Sequence, residues 1–162
     1  MRKVISNTTP ILSLLKIGRL ELLHTLYEEV TVPEAVYREI MKGRDKEYFV
    51  CLPEYDWIRV EPIGSPSARQ LLFDLDDGEA ETIVLAQEQA ADLVIIDEKS
   101  GCRYAKQLGL TLTGTVGMLL KAKERRLIDK VAPLLYELQK RQSWMSEKLI
   151  KTALELSGEQ GY

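Results

Sequence analysis

Histidine is almost missing from this chain: His24 is the only one in 162 residues. It sits among Leu20, Leu22, Leu23 and Leu26 on a helical pattern, which leaves almost no route to a Ser-His-Asp triad or a histidine-rich zinc site. Cysteine is also scarce. Cys51 and Cys102 lie far apart, without metal-ligand spacing, and are expected to be free thiols. No apolar run reaches the ~18–20 residues of a membrane helix. Met1-Arg2-Lys3 leads directly into a strand pattern, so no signal peptide is expected and the reading is cytoplasmic. Charge of one sign is lacking too: 22 basic against 25 acidic residues give a net charge of −3. That argues against a general nucleic-acid coat, although a local basic face is compatible with it. Lys121, Lys123, Arg125 and Arg126 form one such run, and Lys99, Arg103 and Lys106 another. The default reading for both is a solvated helix face.

The chemistry left available is that of carboxylates on an α/β frame. Hydrophobic residues make up 45% of the chain and charged residues 29%, enough for one domain over residues 1–162 with a proper core. Lys3-Val4-Ile5-Ser6 and Leu93-Val94-Ile95-Ile96 are short, β-branched runs, as strands buried on both faces of a parallel sheet must be. Val30-Thr31-Val32 and Leu110–Thr113 read as two more strands, and Trp57-Ile58-Arg59-Val60 as a half-buried one. Between them, helical patterns start at Pro10 with Thr9 as the expected cap, at Leu20, at Pro33 and at Asp77, the expected cap of a long helix. Further helices are expected over Ser100–Leu108, Met118–Arg125, about Asp129–Lys140 and Ser146–Leu156. Strands alternating with helical crossovers imply a three-layer α/β/α sandwich around a mostly parallel sheet.

In open sheets of this kind, ligands gather outside the carboxyl ends of the strands. Asn7 follows the first strand and Asp97 the buried strand at Leu93–Ile96, with Glu39 and Glu79 on nearby helices. Together they make a candidate cage for Mg2+ or Mn2+, which takes oxygen ligands and keeps several waters. Two full charges ~5 Å apart repel by about 3 kcal/mol at an effective dielectric near 20. A cage of carboxylates therefore implies a cation, a shared proton, or both. Each residue also has an ordinary reading: Asn7 as a turn residue, Glu39 as an exposed helix residue, Glu79 as a partner of the helix dipole, Asp97 as a helix cap. Glu81 and Glu98 stand behind these four. Glu81 lies about 200° round the helix from Glu79, so the two do not share a metal directly. The side-chain oxygens of the four are expected within roughly 4–8 Å of one another. On charge alone, Asn7→Asp is expected to tighten metal binding and Asp97→Asn to weaken it.

Ile5-Ser6-Asn7-Thr8-Thr9-Pro10-Ile11-Leu12, Val32-Pro33-Glu34-Ala35-Val36 with Glu39, and Asp77-Gly78-Glu79-Ala80-Glu81 resemble a PIN-domain protein. So do Val94-Ile95-Ile96-Asp97-Glu98 and Thr113-Gly114-Thr115-Val116-Gly117. The match is to the DUF3368 branch, related to VapC-type toxins, and it covers nearly the whole chain. The resemblance implies a Mg2+- or Mn2+-dependent endoribonuclease, the toxin half of a type II toxin–antitoxin pair. It places the acidic positions on Asn7, Glu39, Glu79 and Asp97, with Thr9 as the supporting hydroxyl. Asn at the first position is the main departure: it keeps a carbonyl oxygen and loses a full charge. Lys99 or Arg103 would steady the RNA substrate. The implied partners are a cognate antitoxin and a second copy of the chain. Leu14, Leu15, Leu22, Leu23 and Leu26 also favour a homodimer, being more than one sheet face is expected to cover. The alternative is a degenerate PIN domain that binds RNA or protein without cutting. A receiver-like domain phosphorylated on Asp97 ranks behind both, for want of an acidic pair at the first strand.

Overall fold

The structure is a computed structural model, described for residues 2–141 and 145–159. Its centre is a five-stranded, wholly parallel sheet. The strands are β1 (Val4–Ser6), β2 (Val30–Pro33), β3 (Ile58–Glu61), β4 (Leu93–Ile95) and β5 (Leu112–Thr113), in the order β3-β2-β1-β4-β5. Ile5 stands opposite Thr31 on one side and Val94 on the other. From β1 the chain builds outward through β2 to β3, then returns to the opposite flank for β4 and β5. The order therefore reverses between β1 and β4, the place where such sheets open a crevice at their carboxyl ends.

Successive side chains of a strand point to opposite faces, and the two inner strands show it. Val4, Leu93 and Ile95 join the large core, while Ile5, Val94 and Ile96 pack with Leu85 and Ala86 on the other face. That second face is covered by α5 (Asp77–Glu88) and α6 (Lys99–Gln107), with α4 (Pro66–Leu71) preceding them. The large core gathers residues of α1 (Thr8–Lys16), α2 (Glu21–Tyr27), α3 (Glu34–Met41), α7 (Thr115–Glu124), α8 (Ala132–Arg141) and α9 (Glu147–Ser157). Gly18, at φ +67°, ends the first helical run as the sequence pattern requires. Among the described residues no helix is long and apolar enough to cross a membrane.

Several sequence expectations shift here. Thr9 does not cap α1: the helix starts at Thr8, with Asn7 in the extended capping position. The cap of α5 is Asp76, not Asp77; its carboxylate accepts the Glu79 N–H at 2.8 Å. Asp77 instead pairs with Arg69 at 2.6 Å. Helix α4 had no counterpart in the sequence reading. The leucines expected to overflow one sheet face are all buried within the chain: Leu14, Leu15, Leu22, Leu23 and Leu26 are 0–7% exposed. The reason is that Leu135, Leu138, Ile150 and Leu154 of α8 and α9 join the same core, with α8 packed on α1. These leucines therefore present no exposed apolar face to a second copy of the chain. His24 lies exposed on α2, against the Glu28 carbonyl at 2.7 Å and stacked on Trp57 at 5.1 Å. Both cysteines are free.

Candidate active site

Three local structures carry the polar residues to the sheet's carboxyl edge. The end of β1 delivers Asn7, whose backbone N–H bonds the Ile95 carbonyl at 2.9 Å, locking it beside β4. Asn7 is only 2% exposed. The first turn of α5 delivers Glu79, 7% exposed, three residues after its cap Asp76. Asp-x-x-Glu is a capping-box spacing, and the Glu79 carboxylate faces Gly101 of α6. The extended segment after β4 delivers Asp97 and Glu98, which part company. Asp97 turns toward β5 and α7, accepting the Thr115 N–H at 2.8 Å and its hydroxyl at 2.6 Å. Glu98 turns toward β1, accepting Asn7 Nδ2 at 2.9 Å and the Thr9 hydroxyl.

Glu39 comes from α3 and accepts the Thr8 hydroxyl. A methyl group on Gly78 would sit 3.0 Å from Glu39 Oε2, 3.1 Å from Asn7 Oδ1 and 3.3 Å from the Thr8 hydroxyl. Those three oxygens thus converge on one bare stretch of α5 backbone, which only glycine leaves open. On the other side of Glu79, Gly101 plays the same part: a methyl group there would lie 3.2 Å from Glu79 Oε2.

The electrostatics match the crowding. Burial, then the hydrogen-bonded Asp76 carboxylate and the nearby Glu98 charge, push the Glu79 carboxyl up to about 7, with the Gly101 backbone pulling the other way. Burial also raises Asp97, against the two bonds from Thr115, and Glu98 adds to the rise. The Cys102 thiol is raised by burial first, and Asp97, Glu98 and Glu79 all contribute.

Among the described residues three buried side-chain oxygens have no hydrogen-bond partner: Asn7 Oδ1 and Glu79 Oε2 at this edge, and Gln89 Oε1 at the far end of α5. A buried, unpaired acceptor costs roughly 1–3 kcal/mol, so natural structures retain one where something else satisfies it. Hard oxygens, two of them orphaned and the rest carboxylates, suit a hydrated divalent cation with few direct ligands. Among the described residues, however, no three His, Cys, Asp or Glu side chains stand close enough to hold a metal by themselves. Any cation held at this edge would need a further donor, and the amide oxygen of Asn7 is the buried one on offer.

Of the remaining candidates, Lys99 and Arg103 lie exposed on α6, next to the site in sequence. Thr9 is engaged with Glu98. Glu81 turns away, accepting the Ala35 N–H at 3.1 Å and facing Arg38 at 3.8 Å, which ties α5 to the start of α3. Three members of the other basic run are engaged within the chain: Lys121 with Glu124, Lys123 with Glu159, and Arg125 with the Leu26 carbonyl. Sequence reasoning missed Asp76 and Thr8 and underrated Glu98. The capping-box spacing to Glu79 was the signal for Asp76.

A parallel sheet in the order 3-2-1-4-5, with acids at the reversal point of its carboxyl edge, is an open three-layer α/β domain with a polar crevice at the switch point. The DUF3368 family model, a PIN domain, matches residues 3–159. The chain belongs to that family. Membership points to a nuclease-type function, and PIN domains generally use divalent metal ions. No curated protein matches the chain.

Proposed function

We propose that this protein is a Mg2+- or Mn2+-dependent endoribonuclease that hydrolyses RNA phosphodiesters at the edge formed by β1, β4 and α5. The observation that carries the reading is the pair of buried, unpartnered oxygens, Asn7 Oδ1 and Glu79 Oε2, with Glu39 Oε2 beside the first across Gly78. Asn7, Glu39, Glu79 and Asp97 would hold the cation. Bound there, it would activate water and neutralise charge growing on the phosphate. The residues of the chain do the rest. Thr115 fixes both oxygens of Asp97, and Thr8 fixes Glu39. Gly78 keeps the backbone of α5 clear of the oxygens. Lys99 and Arg103 offer cations to the RNA backbone from the exposed face of α6. The toxin role, a cognate antitoxin and a homodimer are what the resemblance to VapC-type toxins implies, and with the cytoplasmic location read from the N-terminal pattern they belong to the same proposal.

One observation favours a second reading, an RNA- or protein-binding module that does not cut. The described residues hold no three-acid cluster, and the first position is an amide. Incubating the purified protein with a labelled single-stranded RNA separates the two. Cleavage with Mg2+ or Mn2+, abolished by chelator and by Glu79→Gln, supports the nuclease. RNA retention without cleavage under all metals supports the binding module.

A further inference from the structure

Asn7 brings a carbonyl oxygen to the site and no charge, yet it touches a carboxylate that none of the site roles above uses. Glu98 accepts Asn7 Nδ2 at 2.9 Å with one oxygen and the Thr9 hydroxyl with the other. Both of its oxygens are thereby held. Its position just before α6 would suit a helix cap, but its side chain makes no capping bond. Glu98 is therefore spent on Asn7 and Thr9.

The bond decides which way the Asn7 amide faces. An amide presents two N–H donors at one end and an acceptor at the other. Reversed, Asn7 would turn its oxygen on the Glu98 carboxylate, two acceptors in contact. With Nδ2 on Glu98, the oxygen points to the opposite side, where it is buried, unpartnered and next to the Glu39 carboxylate across Gly78. The Glu98 charge is close enough to be felt by both Glu79 and Asp97.

We propose that Asn7 and Glu98 together form one divided acidic ligand position, Asn7 giving the oxygen and Glu98 giving the charge and the orientation. Glu98 is a positioning residue that acts through Asn7. The inference rests on the divalent-cation reading above and deepens it. It also alters what charge alone leads one to expect of Asn7→Asp. In the wild-type background that change replaces an N–H···O bond with two facing carboxylates, so added charge comes with a lost contact and a shared proton. Only with Glu98 neutralised is the gain clean.

The test is Mn2+ titration calorimetry on wild type, Glu98→Gln, Asn7→Asp and the Asn7→Asp/Glu98→Gln double variant, with metal-free thermal melts of each. Glu98→Gln keeps the side-chain shape and should weaken Mn2+ binding about tenfold or more. The double variant should return to within about threefold of wild type, because the charge has moved across the bond. A purely structural role for Glu98 would not be rescued by moving charge to position 7. Glu98→Gln binding Mn2+ like wild type, or a double variant no better than Glu98→Gln, would overturn the inference and leave the cation reading standing. Wild-type protein that binds no Mn2+ would overturn both.

Discussion

Glu79→Gln should make the metal-free protein more stable at high pH while removing its affinity for metal. Glu79 is 7% exposed, and its carboxyl is pushed from 4.5 up to about 7 by burial, by Asp76 and by Glu98. Between those values the folded protein keeps a proton that the unfolded chain has released. Stability therefore falls as pH rises through this window, and the full cost is reached above about pH 7. A shift of this size corresponds to about 3 kcal/mol. Asp76 is exposed to solvent, so screening reduces the realised cost to about 2 kcal/mol. Gln keeps the shape, carries no charge and donates to Asp76. At about pH 8 the variant should gain roughly 2 kcal/mol, which for a chain of this size raises Tm by roughly 4–8 °C. Near pH 5 most of the gain should be gone, since Glu79 is then protonated in the folded state and only partly ionised in the unfolded chain. Mn2+ should raise the wild-type Tm at pH 8 and leave the variant unmoved. The assay is a set of thermal melts at the two pH values, with chelator and with Mn2+. An equal gain at both pH values, or none at pH 8, would refute the claim that Glu79 is ionised at a cost in the metal-free site.

Other perturbations separate the site from the scaffold. Asp97→Asn should lower RNA cleavage by about a hundredfold or more, and cost about 1 kcal/mol of stability because Thr115 loses part of its cap; cleavage kinetics and melts read the two effects separately. Gly78→Ala places a methyl group 3.0 Å from Glu39 Oε2 and 3.1 Å from Asn7 Oδ1. Helix propensity favours Ala by up to about 1 kcal/mol, so Mn2+ affinity should fall while Tm holds, as calorimetry and melts would show. Glu159→Gln tests the far end of the chain. Its carboxylate accepts the Val131 N–H at 2.8 Å and the Ala132 N–H at 3.1 Å, and pairs with Lys123 at 2.9 Å. Burial works against that charge, but these bonds outweigh it and hold the group's pKa low. Its contribution is present at neutral pH and lost as pH falls through the folded value. Denaturant unfolding should show a loss of about 1–3 kcal/mol at neutral pH, with cleavage of RNA unchanged.

What the sequence disclosed, it disclosed through local pattern. β1 and β4 were legible because both are buried on two faces, which leaves an uninterrupted β-branched run. The half-buried edge strand β3 showed as alternation, with Ile58 buried and Arg59 exposed. Helix α4 went unread although Ser65-Pro66 is a good helix start and the Ser65 hydroxyl does accept the Ala68 N–H. None of its residues is buried, so it has no apolar stripe to reveal it. The fate of Leu14 and Leu23 depended on α8 and α9, more than a hundred residues later, and periodicity carries no such information. The site divides in the same way. That Asn7, Glu39, Glu79 and Asp97 were candidates followed from strand ends and helix starts. That Glu98 turns to Asn7 while Asp97 turns to Thr115 follows from the alternation of an extended segment, and sequence alone does not say which of two adjacent acids faces which neighbour.

The central claim is that Asn7 and Glu79 complete a divalent-cation site at the reversal point of the sheet. Anomalous scattering from a crystal soaked in Mn2+ tests it most directly. The account predicts one strong peak in contact with Asn7 Oδ1 and Glu79 Oε2, lost in Glu79→Gln crystals. A peak bound elsewhere, or no peak with those two oxygens still unpartnered, would contradict it.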